Sequence, residues 1–162
     1  KAQDMFDAMT KEHGTNFFDG MYGTAPGAPG SRAKSKFEEL YKAANNGDMP
    51  TDPFIAETFD AVILLGLAAF AALHTDKCDG TNPSSIKTCL RRIATDAGDS
   101  DPQIEPGDMK LAISMLKKGD DINYEGAAGS QEIDENGDVN NTIEVWTIKN
   151  GKIESTNQFL SP

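Results

Sequence analysis

The chain has 162 residues, of which 38% are hydrophobic, and this is enough for one globular domain with its own core. It carries 15 basic and 26 acidic residues, so its formal net charge is -11. This charge repels phosphate backbones and anionic membrane surfaces, and it excludes nucleic acid as an expected partner. Because the sequence begins at Lys1 without an apolar signal segment, we expect a processed or trimmed piece whose beginning lies elsewhere.

The first part of the chain predicts two helices with a strand and a linker between them. Apolar residues at helical spacing predict a helix over residues 2–11. Residues 16–22 form an aromatic-rich run of strand length. Residues 23–30 contain too much glycine and proline for regular structure, which indicates a linker. A second helix is predicted from its N-cap, Ser31, to about Ala44.

The apolar stretch at residues 54–73 predicts the helix around which the rest of the chain is built. Its uncharged part, residues 61–73, is shorter than the roughly 20 residues that cross a bilayer, so a core helix is expected rather than a membrane span. Apolar residues occupy every side of this helix, and we expect no face of it to meet water. The expected N-cap is Thr51 or Asp52, directly before Pro53.

The second half of the chain predicts two further helices followed by strands. The helices cover residues 82–94 and 108–118. The polar, proline-bearing stretch between them, residues 95–107, is expected to be a surface loop. From Ile122 onward, apolar and polar residues alternate in short runs, which is typical of strands. The residues beyond Ser155 are expected to be loosely held.

Two asparagine–glycine pairs, at residues 136–137 and 150–151, predict hairpin turns because they tolerate positive φ angles. The first pair lies in the acidic loop at residues 134–138, whose alternating Asp and Asn side chains resemble the start of a calcium loop. The calcium pattern then fails, because Val139 stands in the position of the required glycine and Val145 in that of the bidentate glutamate. We therefore expect a solvated turn and no metal site.

The two cysteines, Cys78 and Cys89, are close enough in the chain to suit a local disulfide. In the chain-entropy model such a bridge stabilises the fold by about 2–3 kcal/mol, and it implies an oxidising compartment. One alternative is a pair of reduced, partly buried thiols. The other is a metal site with His74 and Asp76, but these residues lack the short ligand spacings of structural zinc.

The sequence offers little for catalysis. Only His13 and His74 have side chains suited to general base catalysis near neutral pH, and neither lies in a nucleophile motif. The glycine-rich stretch at residues 23–30 has no Gly-Lys-Ser/Thr and no GxGxxG pattern, so it does not match a phosphate-binding loop. We expect no enzyme activity and no cofactor.

Two aromatic residues, Phe54 and Tyr22, allow two interpretations each. Phe54 precedes the buried helical run, where an apolar side chain either staples the helix entry or lines a cleft. The residues alone favour the staple. Tyr22 lies at the end of the predicted strand, next to the linker, and the same two interpretations apply to it.

Six segments follow one another in the order found in a known family. They are FDGMYGTAP, FEELYKA, PFIAETFDAVILL, DINYEGAAG, IDENGDV and VWTIKNGK. Together they resemble the C-terminal portion of the solute-binding proteins of ABC importers, in the branched-chain amino-acid-binding type with the type I periplasmic-binding fold. The resemblance extends over essentially the whole chain.

In that family two α/β lobes close over a ligand, and the resemblance implies that this chain supplies only the last part. The implied fold class is α/β, helix-rich with a small, mainly antiparallel C-terminal sheet. Residues 1–26 and 141–162 are expected to belong to the second lobe, and residues 27–140 to the first. The resemblance places most ligand contacts upstream of Lys1.

The resemblance also implies which residues of this chain contact the ligand. Phe54 matches a family position that lines the side-chain end of the ligand cleft, so here the resemblance favours a ligand contact over the staple. Tyr22, Gly23 and Thr24 match the hinge, and they are expected to approach the ligand. No catalytic or metal-binding residue is implied.

The resemblance implies a non-catalytic binding protein that is periplasmic or otherwise extracytoplasmic. Its expected partners are a small-molecule ligand, which is an amino acid or an aromatic or aliphatic acid, and the permease subunits of the importer. That location also favours a bridge between Cys78 and Cys89. Two alternatives stay open: a sensory domain of the same fold in a membrane receptor, and a simple interaction module made by the helices. The chain alone is expected to self-associate through exposed apolar surface.

Overall fold

The structure is a computed structural model that describes residues 2–14, 17–27, 30–50, 54–75, 78, 82–94, 102–139 and 142–161. The described helices are α1 (Ala2–His13), α2 (Arg32–Ala44), α3 (Ile55–His74), α4 (Pro83–Ala94) and α5 (Met109–Leu116). The described strands are β1 (Tyr22–Pro26), β2 (Gln103–Ile104), β3 (Asn123–Gly126), β4 (Gly129–Ser130), β5 (Ile143–Lys149) and β6 (Lys152–Leu160). This helix-rich mixture with a small antiparallel sheet near the C-terminus agrees with the predicted fold class.

Contacts between Cα atoms divide the chain into two compact units. The first, which we call the sheet unit, comprises residues 1–29 and 141–162. The second, which we call the helical unit, comprises residues 30–140. The assignment of these parts of the chain to two lobes of a larger protein stays a prediction.

In the sheet unit, β1, β5 and β6 form an antiparallel sheet with β5 in the middle. The predicted hairpin turn between β5 and β6 is confirmed, with φ angles of 51° at Asn150 and 70° at Gly151. The Asp19 carboxylate accepts hydrogen bonds from the backbone N–H groups of both turn residues, at 2.9 and 3.1 Å. A side chain distant in sequence therefore fastens this turn.

The prediction of a strand over residues 16–22 is wrong for residues 17–21, because the strand begins at Tyr22, and Asn16 lies outside the described residues. The ring of Phe18 packs edge-on against Phe6 of α1, with ring centroids 5.2 Å apart, so this aromatic run contacts a helix. Strand β1 instead continues through Gly23 to Pro26, into the stretch predicted to be a linker. Pairing with β5 outweighs the low strand propensity of these residues.

The prediction of a loosely held tail beyond Ser155 is also wrong, because β6 pairs with β5 as far as Leu160. The pairing register shifts beside Val145, where Thr156 and Asn157 bulge out of the ladder and Asn157 has a φ of 56°. The Thr156 hydroxyl donates to the Val145 carbonyl at 2.6 Å and holds this bulge.

The core of the helical unit forms where α3 packs with α4, α5 and β3. Strand β2 pairs in parallel with β3, and β4 pairs antiparallel with it. Ile104 of β2 and Tyr124 of β3 are fully buried in this core. The prediction of a surface loop is therefore wrong for residues 103–106, whereas residues 95–101 lie outside the described residues.

Helix α3 is the central helix, but it is not buried on all sides as predicted. Its core side is formed by Leu64, Leu67, Ala68, Ala71 and Ala72. The opposite side exposes Val62, Leu65 and Leu73, so one apolar face meets solvent in this structure. Among the described helices, α3 is the one that is long and apolar enough to cross a membrane, by length and composition only.

Candidate functional site

Phe54 directly precedes α3 and has an unusual backbone conformation. Its φ and ψ are 65° and 15°, which is the left-handed helical region, and its side chain is 56% exposed. A bulky residue rarely adopts this conformation, which costs on the order of 1–3 kcal/mol and is found most often at ligand-binding and active sites. Phe54, which is predicted to contact the ligand, thus has an exposed ring and a strained backbone.

Phe54 is also the N-cap of α3, so the prediction of Thr51 or Asp52 as the cap is wrong. Those two residues themselves lie outside the described residues. The side chain of Phe54 cannot accept hydrogen bonds, so it provides no side-chain cap for the N–H groups of the first turn. Thr58 donates to the Phe54 carbonyl oxygen through its backbone N–H at 2.9 Å and its hydroxyl at 2.7 Å.

The next residues of α3 fasten the start of the helix to the helical unit. The Phe59 ring packs against Phe37 of α2, with centroids 5.0 Å apart. The side chain of Asp60 is 1% exposed and lies against the turn between β3 and β4. The second turn of α3 therefore contacts two other parts of the same unit.

The Asp60 carboxylate accepts hydrogen bonds from neutral donors only, among the described residues. One oxygen accepts from the Tyr124 hydroxyl and from the Ala127 N–H, both at 2.8 Å. The other accepts from the Ala128 N–H at 2.8 Å and from the Gln131 amide nitrogen at 3.4 Å. Such a network satisfies a buried anion without a cation.

Burial raises the pKa of Asp60 above its ordinary value, because the lost hydration outweighs the hydrogen bonds from Ala128, Ala127 and Tyr124 that lower it. Burial and the nearby Asp60 charge likewise raise the pKa of Tyr124. The Tyr124 hydroxyl therefore stays protonated and remains a donor to Asp60.

Gly126 makes this network possible. A Cβ atom at Gly126 would collide with the Asp60 carboxylate and would lie 2.7 Å from the Gln131 amide nitrogen, so any larger residue would displace them. This cluster was not predicted from the sequence. The available signal was Asp60, the acidic residue directly before the uncharged run of the central helix, since a charge on a buried helix needs partners.

Tyr22, Gly23 and Thr24 lie in β1 of the sheet unit. Tyr22 is 69% exposed and Thr24 is exposed on the same face, whereas Gly23 points to the other face. A Cβ atom at Gly23 would overlap the ring of Trp146, its partner on β5, so the absence of a side chain there serves packing. Phe54 belongs to the helical unit, and these three residues belong to the sheet unit.

The acidic loop forms the predicted turn. One oxygen of the Asp134 carboxylate accepts hydrogen bonds from the backbone N–H groups of Asn136, Gly137 and Asp138, each at 2.9 Å. Because these bonds stabilise the charged carboxylate, they lower the pKa of Asp134. The Arg91 guanidinium of α4 donates to the carbonyl oxygens of Asp134 and Glu135. Within the described ranges, no group of three or more His, Cys, Asp or Glu side chains is placed to hold a metal ion.

Cys78 and Cys89 form a disulfide with Cα atoms 5.5 Å apart, and both residues are buried. The bridge joins the segment after α3 to the middle of α4. His74 lies at the end of α3, and the centroid of its ring is 4.2 Å from the centroid of the Phe70 ring. The disulfide occupies the sulfur atoms that the alternatives of two reduced thiols or a metal site with His74 would need.

A shallow groove of about 290 Å³ lies between α2 and the segment before α5. The ammonium of Lys36, which lines the groove, lies 2.9 Å from the Glu105 carboxylate and 2.8 Å from that of Asp108. These contacts lower the pKa of Asp108 and raise that of Lys36. These ion pairs fasten α2 to the segment before α5.

Comparisons with known proteins agree with the resemblance inferred from the sequence. The profile of the family described as receptor family ligand binding region matches residues 2–151. Among solved structures, the chain is similar to a leucine binding protein, LivK, from Thermotoga maritima MSB8, with a TM-score of 0.58 and 21% sequence identity. The match covers 97% of this chain and 35% of that protein. No curated protein matched the chain.

The structural match confirms the predicted fold, which is a fragment of the type I periplasmic-binding fold. The chain spans 35% of the length of the leucine binding protein. The comparisons do not assign ligand contacts, so the roles of Phe54, Tyr22, Gly23 and Thr24 stay predictions.

Proposed function

Since the chain belongs to the receptor family of ligand-binding regions, we propose that its protein is the extracytoplasmic solute-binding component of an ABC importer. In this proposal it captures an amino acid or a similar small carboxylate and delivers it to the permease subunits. The family consists of ligand-binding domains, which supports a binding role without catalysis. The similar structure is a leucine binding protein, which supports an amino acid as the ligand.

The observation that carries the proposal is Phe54. An exposed aromatic ring gains about 1.5–3 kcal/mol when it is buried against an apolar group, and a strained left-handed backbone persists only where its surroundings enforce it. We assign Phe54 to the apolar part of the ligand site. Tyr22, Gly23 and Thr24 are proposed as further ligand contacts.

The disulfide supports the location. Disulfides persist in oxidising compartments and are rare in the cytosol, where thiols are kept reduced. The bridge between Cys78 and Cys89 is therefore in keeping with a periplasmic or extracellular protein.

The proposal is tested by a thermal-shift screen of the protein at its natural length against leucine, other amino acids and aromatic acids. A ligand that binds only the folded state at about 100 times its Kd stabilises it by about 2.7 kcal/mol. We expect one of these compounds to raise the melting temperature, and Phe54→Ala to reduce this shift. Phe17→Ala, which removes a similarly exposed phenyl ring, is the matched control and should leave the shift intact. No shift with any compound would contradict the proposal.

A second candidate is a sensory domain of a membrane receptor, because the matching family is named for receptors. The sequence that flanks the chain in its gene distinguishes the two functions. A cleavable signal peptide supports the importer component, and a membrane anchor joined to a signalling domain supports the receptor.

A further inference from the structure

We propose that Asp60 is a positioning residue for Phe54, because its buried carboxylate ties the first turns of α3 to the turn between β3 and β4. In this way it fixes where the Phe54 ring is presented. The inference rests on the proposed function, in which Phe54 contacts the ligand.

Two consecutive residues, Phe59 and Asp60, link the start of α3 to its surroundings, and Thr58 before them links Phe54 to the helix. Thr58 holds the Phe54 carbonyl oxygen through two hydrogen bonds. Phe59 packs against Phe37 of α2, and Asp60 accepts four hydrogen bonds from residues 124–131. The left-handed conformation of Phe54 is thus followed, within two turns of helix, by the firmest polar attachment of α3 in the described part of the chain.

The Asp60 attachment differs from the apolar contacts of α3 because hydrogen bonds depend strongly on distance and direction. Apolar side chains tolerate small displacements of a helix, whereas a shift of α3 by one residue moves Asp60 about 1.5 Å along the axis. Such a shift would break the bonds of 2.8 Å to Tyr124, Ala127 and Ala128 and leave their donors unsatisfied in the interior. Asp60 therefore fixes the axial position of the helix, and with it the position of Phe54.

Strain at Phe54 supports the same conclusion. A strained φ angle relaxes unless the neighbouring structure enforces it, and a helix start that is free to fray enforces nothing. With Asp60 fastened, the first turn cannot unwind without pulling on the second. The carboxylate thus keeps the Phe54 backbone in its unusual conformation.

The test is hydrogen exchange, measured residue by residue in the protein at its natural length, in Asp60→Asn and in a control. Asparagine has nearly the same shape as aspartate, but one of its two terminal groups is an NH₂ donor. This donor would face the N–H of either Ala127 or Ala128, which would then lose its acceptor oxygen. The control is Ile93→Val, which loosens the same core from α4 without touching the start of α3. The direct reporter is the Thr58 N–H, because it bonds the Phe54 carbonyl.

We expect Asp60→Asn to speed exchange of the Thr58 N–H about tenfold or more relative to N–H groups near the end of α3, such as that of Ala72. In Ile93→Val the Thr58 N–H should show no such selective acceleration, because Ile93 lines the same small cavity as Ala71 and Thr75 at the other end of α3. If Asp60→Asn changes both ends of α3 equally, Asp60 is merely structural and the proposal is overturned. If Asp60→Asn does not fold, Tyr124→Phe removes one donor only, and it should give a smaller effect confined to the same end.

The exchange measurement needs no ligand, so its outcome is separate from that of the proposed function. If the proposed function is wrong, Phe54→Ala leaves ligand-induced thermal shifts unchanged, whatever the exchange rates. If the positioning role is wrong, the Thr58 N–H shows no selective change in Asp60→Asn or in Tyr124→Phe, even when Phe54→Ala weakens binding.

Discussion

Leu65 and Leu67 are two positions apart in α3, yet Leu67 is 4% exposed and Leu65 is 55% exposed. One helical turn has 3.6 residues, so residues two apart lie about 200° from each other around the axis. Leu67 points to the core formed with α4 and α5, and Leu65 points away from it.

This relationship predicts opposite outcomes for the same substitution. Leu67→Asp should abolish folding, because an unpaired buried charge costs several kcal/mol against a total stability of about 5–15 kcal/mol. Leu65→Asp should leave the chain folded and lower its stability by no more than about 1 kcal/mol, mainly through helix propensity. Circular dichroism and thermal denaturation of both variants measure the difference. Equal loss of structure in the two would contradict the orientation of α3.

The sequence alone predicted that every side of α3 is buried, which would make both substitutions equally severe, and the reason is physical. Periodicity identifies a helix by contrast between polar and apolar sides, and α3 has no such contrast because Leu65 and Val62 are as apolar as Leu67. The helix itself was predictable, since Asp60 and the polar residues after His74 mark where the apolar run begins and ends. Which side faces the core depends on α4 and β3, and their positions are tertiary information.

The candidate site, like α3, could be predicted from the sequence only in part. The exposure of Phe54 agrees with its predicted place before the buried run, whereas its left-handed backbone was not predictable, because propensity favours glycine or asparagine there. The Asp60 network joins residues more than 60 positions apart, so the sequence indicates that Asp60 needs partners but not which residues supply them. Strand β2 was missed for a similar reason: two residues form a strand only because β3 lies beside them.

The second prediction concerns the disulfide between Cys78 and Cys89. In protein prepared without reductant, mass spectrometry should find the chain lighter by two hydrogens than its reduced form. Reduction should lower the free energy of unfolding by about 2–3 kcal/mol, as expected for a loop of this size. Two thiols that react with an alkylating agent in the native, oxidised protein would contradict the bridge.

A third prediction concerns the acidic loop. Asp138→Ala should leave the melting temperature unchanged, because Asp138 contributes its backbone N–H to the turn and its side chain is exposed. Asp134→Ala should lower it, because three backbone N–H groups lose their acceptor. Calcium should have no effect on either. If calcium raises the melting temperature and Asp138→Ala removes that rise, the loop is a metal site after all.

The fourth prediction is a pH dependence caused by Asp60. Because burial raises its pKa in the folded state, the folded protein binds this proton more tightly than the unfolded chain does. The contribution of Asp60 to stability is therefore fully present below the ordinary pKa of 3.8 and is lost as the pH rises through the folded-state pKa. Asp60→Asn should be less stable than the wild type, and the difference should shrink from pH 4 to pH 8.

Thermal denaturation of the two proteins at a series of pH values measures this difference. The lowered pKa values of Asp108 and Asp134 act in the opposite direction, since their stabilisation is lost as the pH falls, but both proteins share these groups. The contributions of Asp108 and Asp134 therefore cancel when the stability of Asp60→Asn is subtracted from that of the wild type. A difference that grows with pH would show that hydrogen bonding, and not burial, controls the Asp60 pKa.

The last prediction concerns the 162 residues produced alone. The outer face of α3 exposes Val62, Leu65 and Leu73 in a continuous apolar stripe, and monomeric soluble proteins rarely leave such a surface uncovered. A second copy of the chain, with its own identical stripe, can cover it in a two-fold dimer. We therefore expect light scattering to give a mass above that of the monomer, and Leu65→Asp to restore the monomer.

For the same 162 residues, we also expect calorimetry to detect no heat of binding when leucine is added. The chain spans 35% of the leucine binding protein, so it supplies few of the converging polar groups of a small-molecule site. A monomeric chain that binds leucine with micromolar affinity would contradict both expectations.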